Sequence, residues 1–142
     1  MIETVYIELP FEKITYLDRP EFHKEEKKFK DALTASMTTY GMKDPVYCWY
    51  NSKPYKDKIH IIVGNNRMTV AKELGIKTIK AIVTNFKADE FPLEGEVLET
   101  EAEIKKLFHL PNQLQIRRDK NGNVDQVMPV YYMKEGVREE YV

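Results

Sequence analysis

The sequence predicts an α/β (α+β) fold, a mixed sheet with flanking helices, extended by a C-terminal helix and a β-hairpin. Three observations carry that expectation. Residues 58–83 read as strand, tight loop, helix, strand: the run Ile59, Ile61, Ile62, Val63 stops at Gly64, and a second β-branched run spans Thr78 to Val83. From Glu21 to Tyr40 the period becomes helical, with Phe22, Phe29, Leu33, Met37 and Tyr40 on one face. Near the end, Leu114 to Arg118 and Val124 to Tyr132 flank Asp119-Lys120-Asn121-Gly122-Asn123, a good hairpin turn.

Taken in order, Val5, Ile7 and Leu9 alternate with polar residues, as a half-buried first strand does, and Pro10 ends it. Ile14 to Leu17 is a second short apolar piece. Pro20 forces Arg19 into an extended conformation, which leaves that arginine at a strand end with its side chain able to reach outward. On the long helix the face bearing Lys24, Glu25, Glu26, Lys27, Lys28 and Lys30 reads as solvated. Gly41 stops this helix and Pro45 prevents its restart, so Met42, Lys43 and Asp44 form a loop into the strand Val46 to Tyr50. Asn51 to Lys58 is a polar hairpin connection.

In the central unit, Asn65 or Asn66 can cap the second helix, whose apolar stripe is Val70, Ala71 and Leu74. Gly75 is placed to end it in a left-handed cap, with Ile76 folding back on the last turn. After Val83 the chain turns acidic (Asp89, Glu90, Glu94, Glu96, Glu99, Glu101, Glu103) and reads as linker and helix entrance. Thr100 and Glu103 have capping-box spacing, with Ile104, Leu107 and Phe108 as the apolar face of a short helix ending near His109.

Composition narrows the function classes. A net charge of −1 argues against a broadly basic nucleic-acid surface. The single Cys48 excludes an intramolecular disulfide and a cysteine-based zinc cluster; mid-strand, it reads as a small buried hydrophobe. His23, His60 and His109 lack metal-ligand spacing, so no metal site built directly from a protein cluster is expected. No apolar run approaches the roughly 20 residues that span a bilayer, and no signal-peptide pattern opens the chain, so the cytoplasm is the expected compartment and no membrane partner is expected.

The chemistry concentrates in the loop at Gly64. A helix N-terminus presents unpaired amides and a partial positive charge, and so attracts phosphate. Arg67 adds a planar cation in that turn, able to grip a phosphate in two-pronged fashion. On spacing alone, a strand-to-helix turn with an exposed arginine is the simpler reading.

Motif and order together settle more. Ser36, Met37, Gly41, Met42 and Pro45 fit a Ser-Ile-x-x-x-Gly-Leu-x-x-Pro pattern, Gly64-Asn65-Asn66-Arg67 fits a Gly-x-x-Arg loop, and Leu74 to Ile79 fits a Leu-Gly-Ile-x-Thr-Ile turn. In that order, from about Val5 to Val83, the chain resembles the ParB–sulfiredoxin superfamily, the group that carries the "ParB-like nuclease" label. The Arg19-Pro20 pair resembles the arginine near the first strands of sulfiredoxins. The resemblance divides the chain into a ParB/sulfiredoxin-like nucleotide-binding core at 1–86 and an acidic linker, short helix and β-hairpin at 87–142, packed on or beside that core.

The resemblance implies a nucleotide, ATP or CTP, with Mg2+ as the usual companion. Phosphates would rest on Gly64, Asn65, Asn66, Arg67 and Thr69, with Arg19 adding charge from across the site. Gly41, Met42, Lys43 and Pro45 would lie on the base or sugar side. Members of the superfamily hydrolyse CTP to clamp DNA, use ATP to repair over-oxidised peroxiredoxin, or phosphorylate free serine. Sulfiredoxins have a cysteine directly after the loop glycine, where this chain has Asn65, so a reductase of that type is not expected. ParB partition proteins have Glu-Arg-Arg there, and the serine kinases His-Thr-Arg; both differ from Asn65-Asn66-Arg67. No carboxylate cluster has the spacing of a two-metal nuclease.

The first expectation is therefore a stand-alone nucleotide-binding domain acting as a phosphotransferase or nucleoside triphosphatase, with no assigned catalytic residue. Glu21, Glu25 and Asp44 are positional candidates for a base. The alternative is a non-catalytic DNA-associated or adaptor module, binding DNA or a protein partner, of the kind that suits a phage or mobile element; Arg117 and Arg118 beside the hairpin turn would make its contacts.

Overall fold

The computed structural model describes residues 3–18, 27–51, 55–91, 93–109, 111 and 114–129. Arg19, Pro20, Glu21, Phe22, His23, Lys24, Glu25, Glu26 and Tyr132, all named above, lie outside the described residues. The elements in chain order are β1 (Thr4–Pro10), β2 (Ile14–Thr15), α1 (Lys27–Tyr40), β3 (Val46–Tyr50), β4 (Ile59–Val63), α2 (Asn65–Leu74), β5 (Thr78–Thr84), β6 (Glu96–Val97), α3 (Glu101–Lys105), β7 (Leu114–Arg118) and β8 (Val124–Pro129). A short 3-10 turn, Phe11–Lys13, joins β1 to β2.

Six strands form one mixed sheet in the order β2-β4-β3-β5-β1-β6, and β7 pairs with β8 in a separate hairpin. β3 runs parallel to β5 and β2 parallel to β4; the other neighbours are antiparallel. Period-two alternation sends successive side chains of each strand to opposite faces. Val5, Ile7 and Leu9 of β1, Val46, Cys48 and Tyr50 of β3, and Ile79, Ala81 and Val83 of β5 fill one face. There they meet Leu33 and Met37 of α1 and Met68, Val70 and Ala71 of α2. Each such fully buried aliphatic side chain stabilises the fold by about 1.5–3 kcal/mol.

The opposite face carries Tyr47 and Ile82, covered by Leu98, Ile104 and Phe108 and by Val124 and Val127 of β8. A polar chain threads this layer: Trp49 Nε1 donates to the Tyr47 hydroxyl at 3.0 Å, which donates to Thr84 Oγ1 at 3.0 Å. Sequence after Val83 thus supplies the second layer of the sheet. Both central strands are buried on two sides, which is why their sequences read as near-continuous apolar runs.

Local chemistry explains the element ends. Gly75 adopts φ 71° and Ile76 N donates to Ala71 O at 3.0 Å, the left-handed cap that the sequence predicts. Thr100 Oγ1 accepts from Glu103 N at 3.2 Å, and Glu103 Oε2 accepts from Glu99 N at 3.3 Å, so the box caps α3. Asp119 Oδ1 accepts from Asn121 N at 2.8 Å and Asn123 N at 3.0 Å, closing the β7–β8 turn.

Four expectations are corrected. β2 ends at Thr15 rather than Leu17. Tyr40, placed on the apolar face of α1, is 71% exposed at the last residue of the helix. The acidic stretch read as linker contains β6, which pairs Val97 with Val5. Gly95 makes that close approach possible: a Cβ there would sit 3.0 Å from Val5 Cβ. Finally, neither asparagine caps α2. Gly64 does, and Asn65 is already the first helical residue.

Candidate functional site

Sheet topology brings three segments to one edge. Because β3 and β4 are antiparallel, with Tyr47 opposite Val63, the start of β3 lies beside the exit of β4. The Gly41–Pro45 loop and the Gly64–Arg67 turn therefore meet. Because β2 is parallel to β4, with Thr15 opposite His60, the chain leaving β2 arrives at the same end. Leu17 N donates to Asn65 Oδ1 at 2.8 Å, fastening that third segment to the first residue of α2.

Gly64 is required twice over. Its φ of 125° and ψ of 16° lie where L residues with a side chain are strained. A Cβ would also stand 2.7 Å from Val46 Cγ1 and 3.2 Å from Arg67 Nη2. The residue that turns the chain is thus packed against both the neighbouring strand and the arginine three positions on. Met68 N already donates to Gly64 O at 2.9 Å. The amides of Asn65, Asn66 and Arg67 precede the first intrahelical donor, as the geometry of a helix N-terminus requires.

Arg67 differs from its sequence reading. That reading leaves it facing solvent; the structure places it at 3% exposure, with Nη1 donating to Asp44 O at 2.5 Å and to Pro45 O at 3.4 Å. Guanidinium Nη1 engages the main chain of the opposite loop, since the β3–β4 register brings those carbonyls within its reach. It holds the two loops together and gives the turn a fixed positive charge. Thr69 is equally buried, and its hydroxyl donates to Asn65 O at 3.1 Å inside α2.

On the facing loop, Gly41 takes φ 71° and donates its N–H to Met37 O at 3.0 Å, ending α1. Met42 is half-buried against the core, Lys43 is exposed with its ammonium 5.2 Å from the Tyr40 ring centre, and Pro45 is buried. Asp44 is buried with 2% of its side chain exposed. Its Oδ1 accepts from His109 N at 2.9 Å and pairs with His109 Nδ1 at 2.7 Å. This carboxylate is an anchor within the fold. The pairing of His109 with Asp44 is not legible in the sequence because 65 positions separate them.

Other residues take structural places. Cys48 is fully buried, and burial pushes its thiol well above its ordinary range, with Arg67 offsetting part of the shift. His60 stacks on Tyr55 with ring centres 4.6 Å apart, and burial lowers its pKa. Arg117 pairs with Asp125 at 2.9 Å, and Arg118 with Glu101 at 3.2 Å. Among the described residues no group of three or more His, Cys, Asp or Glu side chains could hold a metal ion, and no helix is long and apolar enough to cross a membrane.

With this geometry in view, comparison with known proteins is informative. The model of the ParB N-terminal domain matches residues 2–94. No curated protein matches the chain. Among solved structures, the chain is similar to the C-terminally truncated chromosome-partitioning protein ParB from Caulobacter crescentus complexed with CTP-γ-S: identity is 22%, the TM-score 0.45, and the overlap 58% of this chain and 45% of that one. It is similar to a free serine kinase in complex with AMP at 20% identity and a TM-score of 0.44, over 82% of this chain and 47% of that one. For sulfiredoxin from Arabidopsis thaliana the identity is 21% and the TM-score 0.42, over 55% of this chain and 82% of that one. The chain thus spans less than half the length of the ParB and kinase structures. Likenesses this distant carry no argument about ligands. The match over residues 2–94 takes in the β1-to-β5 unit and both loops of the site, and on it this chain belongs to the ParB N-terminal domain family.

Proposed function

We propose that this protein binds a nucleotide, ATP or CTP, with its phosphates on the N-terminus of α2. The observation that carries the reading is the clasp between Arg67 and the Asp44 and Pro45 carbonyls, which fixes the Gly41–Pro45 loop beside the Gly64 turn. It sets the amides of Asn65, Asn66 and Arg67 at the rim where that loop and the Leu17 segment converge. Family membership supports the same use of the turn.

In this reading Gly64, Asn65 and Asn66 receive phosphate, and Arg67 contributes charge and alignment in place of a two-pronged grip. Met42 and Lys43 stand on the base or sugar side, beside Gly41 and Pro45. The donor set fits a phosphate, being main-chain amides and neutral side-chain amides around one fixed cation. Mg2+ would be held chiefly by phosphate oxygens and water, as is usual for this ion. Phosphoryl transfer or hydrolysis is a further step, for which Asp44 is not a base: the carboxylate is buried and engaged by His109.

The DNA or adaptor alternative rests on Arg117 and Arg118, which lie at the surface, each paired with a carboxylate. A thermal-shift screen with ATP, CTP, GTP and their diphosphates, each with Mg2+, tests the proposal. A nucleotide at about 100 times its Kd should add about 2.7 kcal/mol of apparent stability. No shift with any of them, in a protein that unfolds cooperatively, would reject it.

A further inference from the structure

We infer that Asp44 and His109 are positioning residues for the nucleotide loop: the segment after α3 reaches back and holds the Gly41–Pro45 loop in register with the N-terminus of α2. The inference rests on the nucleotide-binding reading of the same site, and it adds a residue from outside the β1-to-β5 unit.

Asp44 is pulled from two sides. Its carbonyl accepts from Arg67 Nη1 at 2.5 Å, which ties it to α2. Its carboxylate accepts from the main chain of His109 at 2.9 Å and meets His109 Nδ1 at 2.7 Å, which ties it to the end of the α3 segment. A carboxylate with 2% of its side chain exposed depends on such donors, because burial removes water as a substitute. The histidine side chain suits this task through its shape. Nδ1 stands one bond beyond Cγ, so it can reach the oxygen that its own main-chain N–H also reaches. An asparagine places its amide nitrogen at the equivalent position; alanine places nothing there.

Loss of the imidazole leaves the buried carboxylate one donor short. The cheapest relief is for the loop to lift toward water, which carries the Asp44 and Pro45 carbonyls off Arg67. The Gly64 turn then loses the partner that holds its arginine, and the two halves of the proposed site fall out of alignment. Leu107 and Phe108 pack in the second core layer, so the α3 segment is a firm support for this tether.

The test compares His109→Ala and His109→Asn in the full chain with wild type, using two readouts. The first is amide hydrogen exchange without nucleotide. His109→Ala should speed exchange about tenfold at Asp44, Val46 and Met68, and His109→Asn should restore it to within about threefold of wild type. The second is calorimetric titration with Mg2+-ATP and Mg2+-CTP, where the alanine variant should bind about tenfold more weakly and the asparagine variant should recover most of the loss. Faster exchange confined to residues 106–109 would overturn the tether, as would an asparagine variant as impaired as alanine. If His109→Ala fails to fold, His109→Asn decides alone: wild-type exchange and affinity uphold the inference, and their loss overturns it. A wild-type protein that binds neither nucleotide yet shows the exchange coupling would reject the nucleotide reading while keeping the tether. Nucleotide binding unchanged in a folded His109→Ala would do the reverse.

Discussion

Arg67 donates to the main-chain carbonyl of Asp44 across 2.5 Å, joining the first turn of α2 to the loop that precedes β3. Two segments 23 positions apart in sequence are thereby made one surface. The consequence for mutation is the opposite of what a solvent-facing arginine would give.

Arg67→Ala should destabilise the protein before any ligand is added. It removes a charge-assisted bond from a buried environment and strips the Asp44 and Pro45 carbonyls of a donor, a loss of about 2–3 kcal/mol. Arg67→Lys keeps the charge but not the planar reach to both carbonyls, and should recover only part of that loss. Urea denaturation measures both. An unchanged midpoint for Arg67→Ala would show that the clasp does not hold in solution.

Gly64→Ala and Gly75→Ala should differ in size. Both positions have positive φ, but at Gly75 a Cβ meets nothing within 4 Å, whereas at Gly64 it meets Val46 Cγ1 at 2.7 Å. The alanine at Gly75 should cost about 1 kcal/mol, for backbone strain alone. At Gly64 the same change should cost about 2–3 kcal/mol, strain and collision together. Adding Val46→Ala should relieve the closest contact in the Gly64 variant, that with Cγ1, but not its backbone strain. Equal costs at the two glycines would contradict the packing described here.

Alkaline pH should destabilise the fold through two buried acids. Burial raises Cys48 above its ordinary value of 9.0, and burial, partly offset by bonds with Thr84 and Trp49, pushes Tyr47 up from 10.0 to about 12. Both ionise more readily in the unfolded chain, so unfolding releases protons at alkaline pH. Their contribution is complete below about pH 9 and declines as pH rises, at up to about 1.4 kcal/mol per pH unit for each group. Denaturation curves between pH 8 and 11 should show the decline, and Cys48→Ala should flatten its first part. The same burial predicts that Cys48 resists thiol reagents until the protein unfolds and supports no repair of over-oxidised peroxiredoxin. A flat stability profile, or rapid labelling of the native thiol, would contradict the burial of these groups.

What the sequence discloses follows from the range of each interaction. Gly41, Gly64, Gly75, the Thr100–Glu103 box and the Asp119 turn are local devices, decided within a few residues, and each reads correctly or within one position. The strand pattern is legible for the same reason, since alternation and β-branched runs are short-range signals. β6 escaped because its two residues, Glu96 and Val97, are both exposed and are defined by pairing with β1 rather than by composition. The burial of Arg67 and the Asp44–His109 contact escaped because they depend on register between β3 and β4 and on where the α3 segment docks. A guanidinium looks the same in sequence whether it ends on a phosphate or on a carbonyl. Only the fold separates the two.

The most direct test of the central claim is amide chemical-shift mapping during titration with Mg2+-ATP and, separately, Mg2+-CTP. Nucleotide bound at the N-terminus of α2 should give saturable shifts for at least one of them, largest at the amides of Asn65, Asn66 and Arg67, with smaller changes at Gly41 to Asp44. Shifts confined to the β7–β8 hairpin, or no saturable change with either nucleotide, would contradict it.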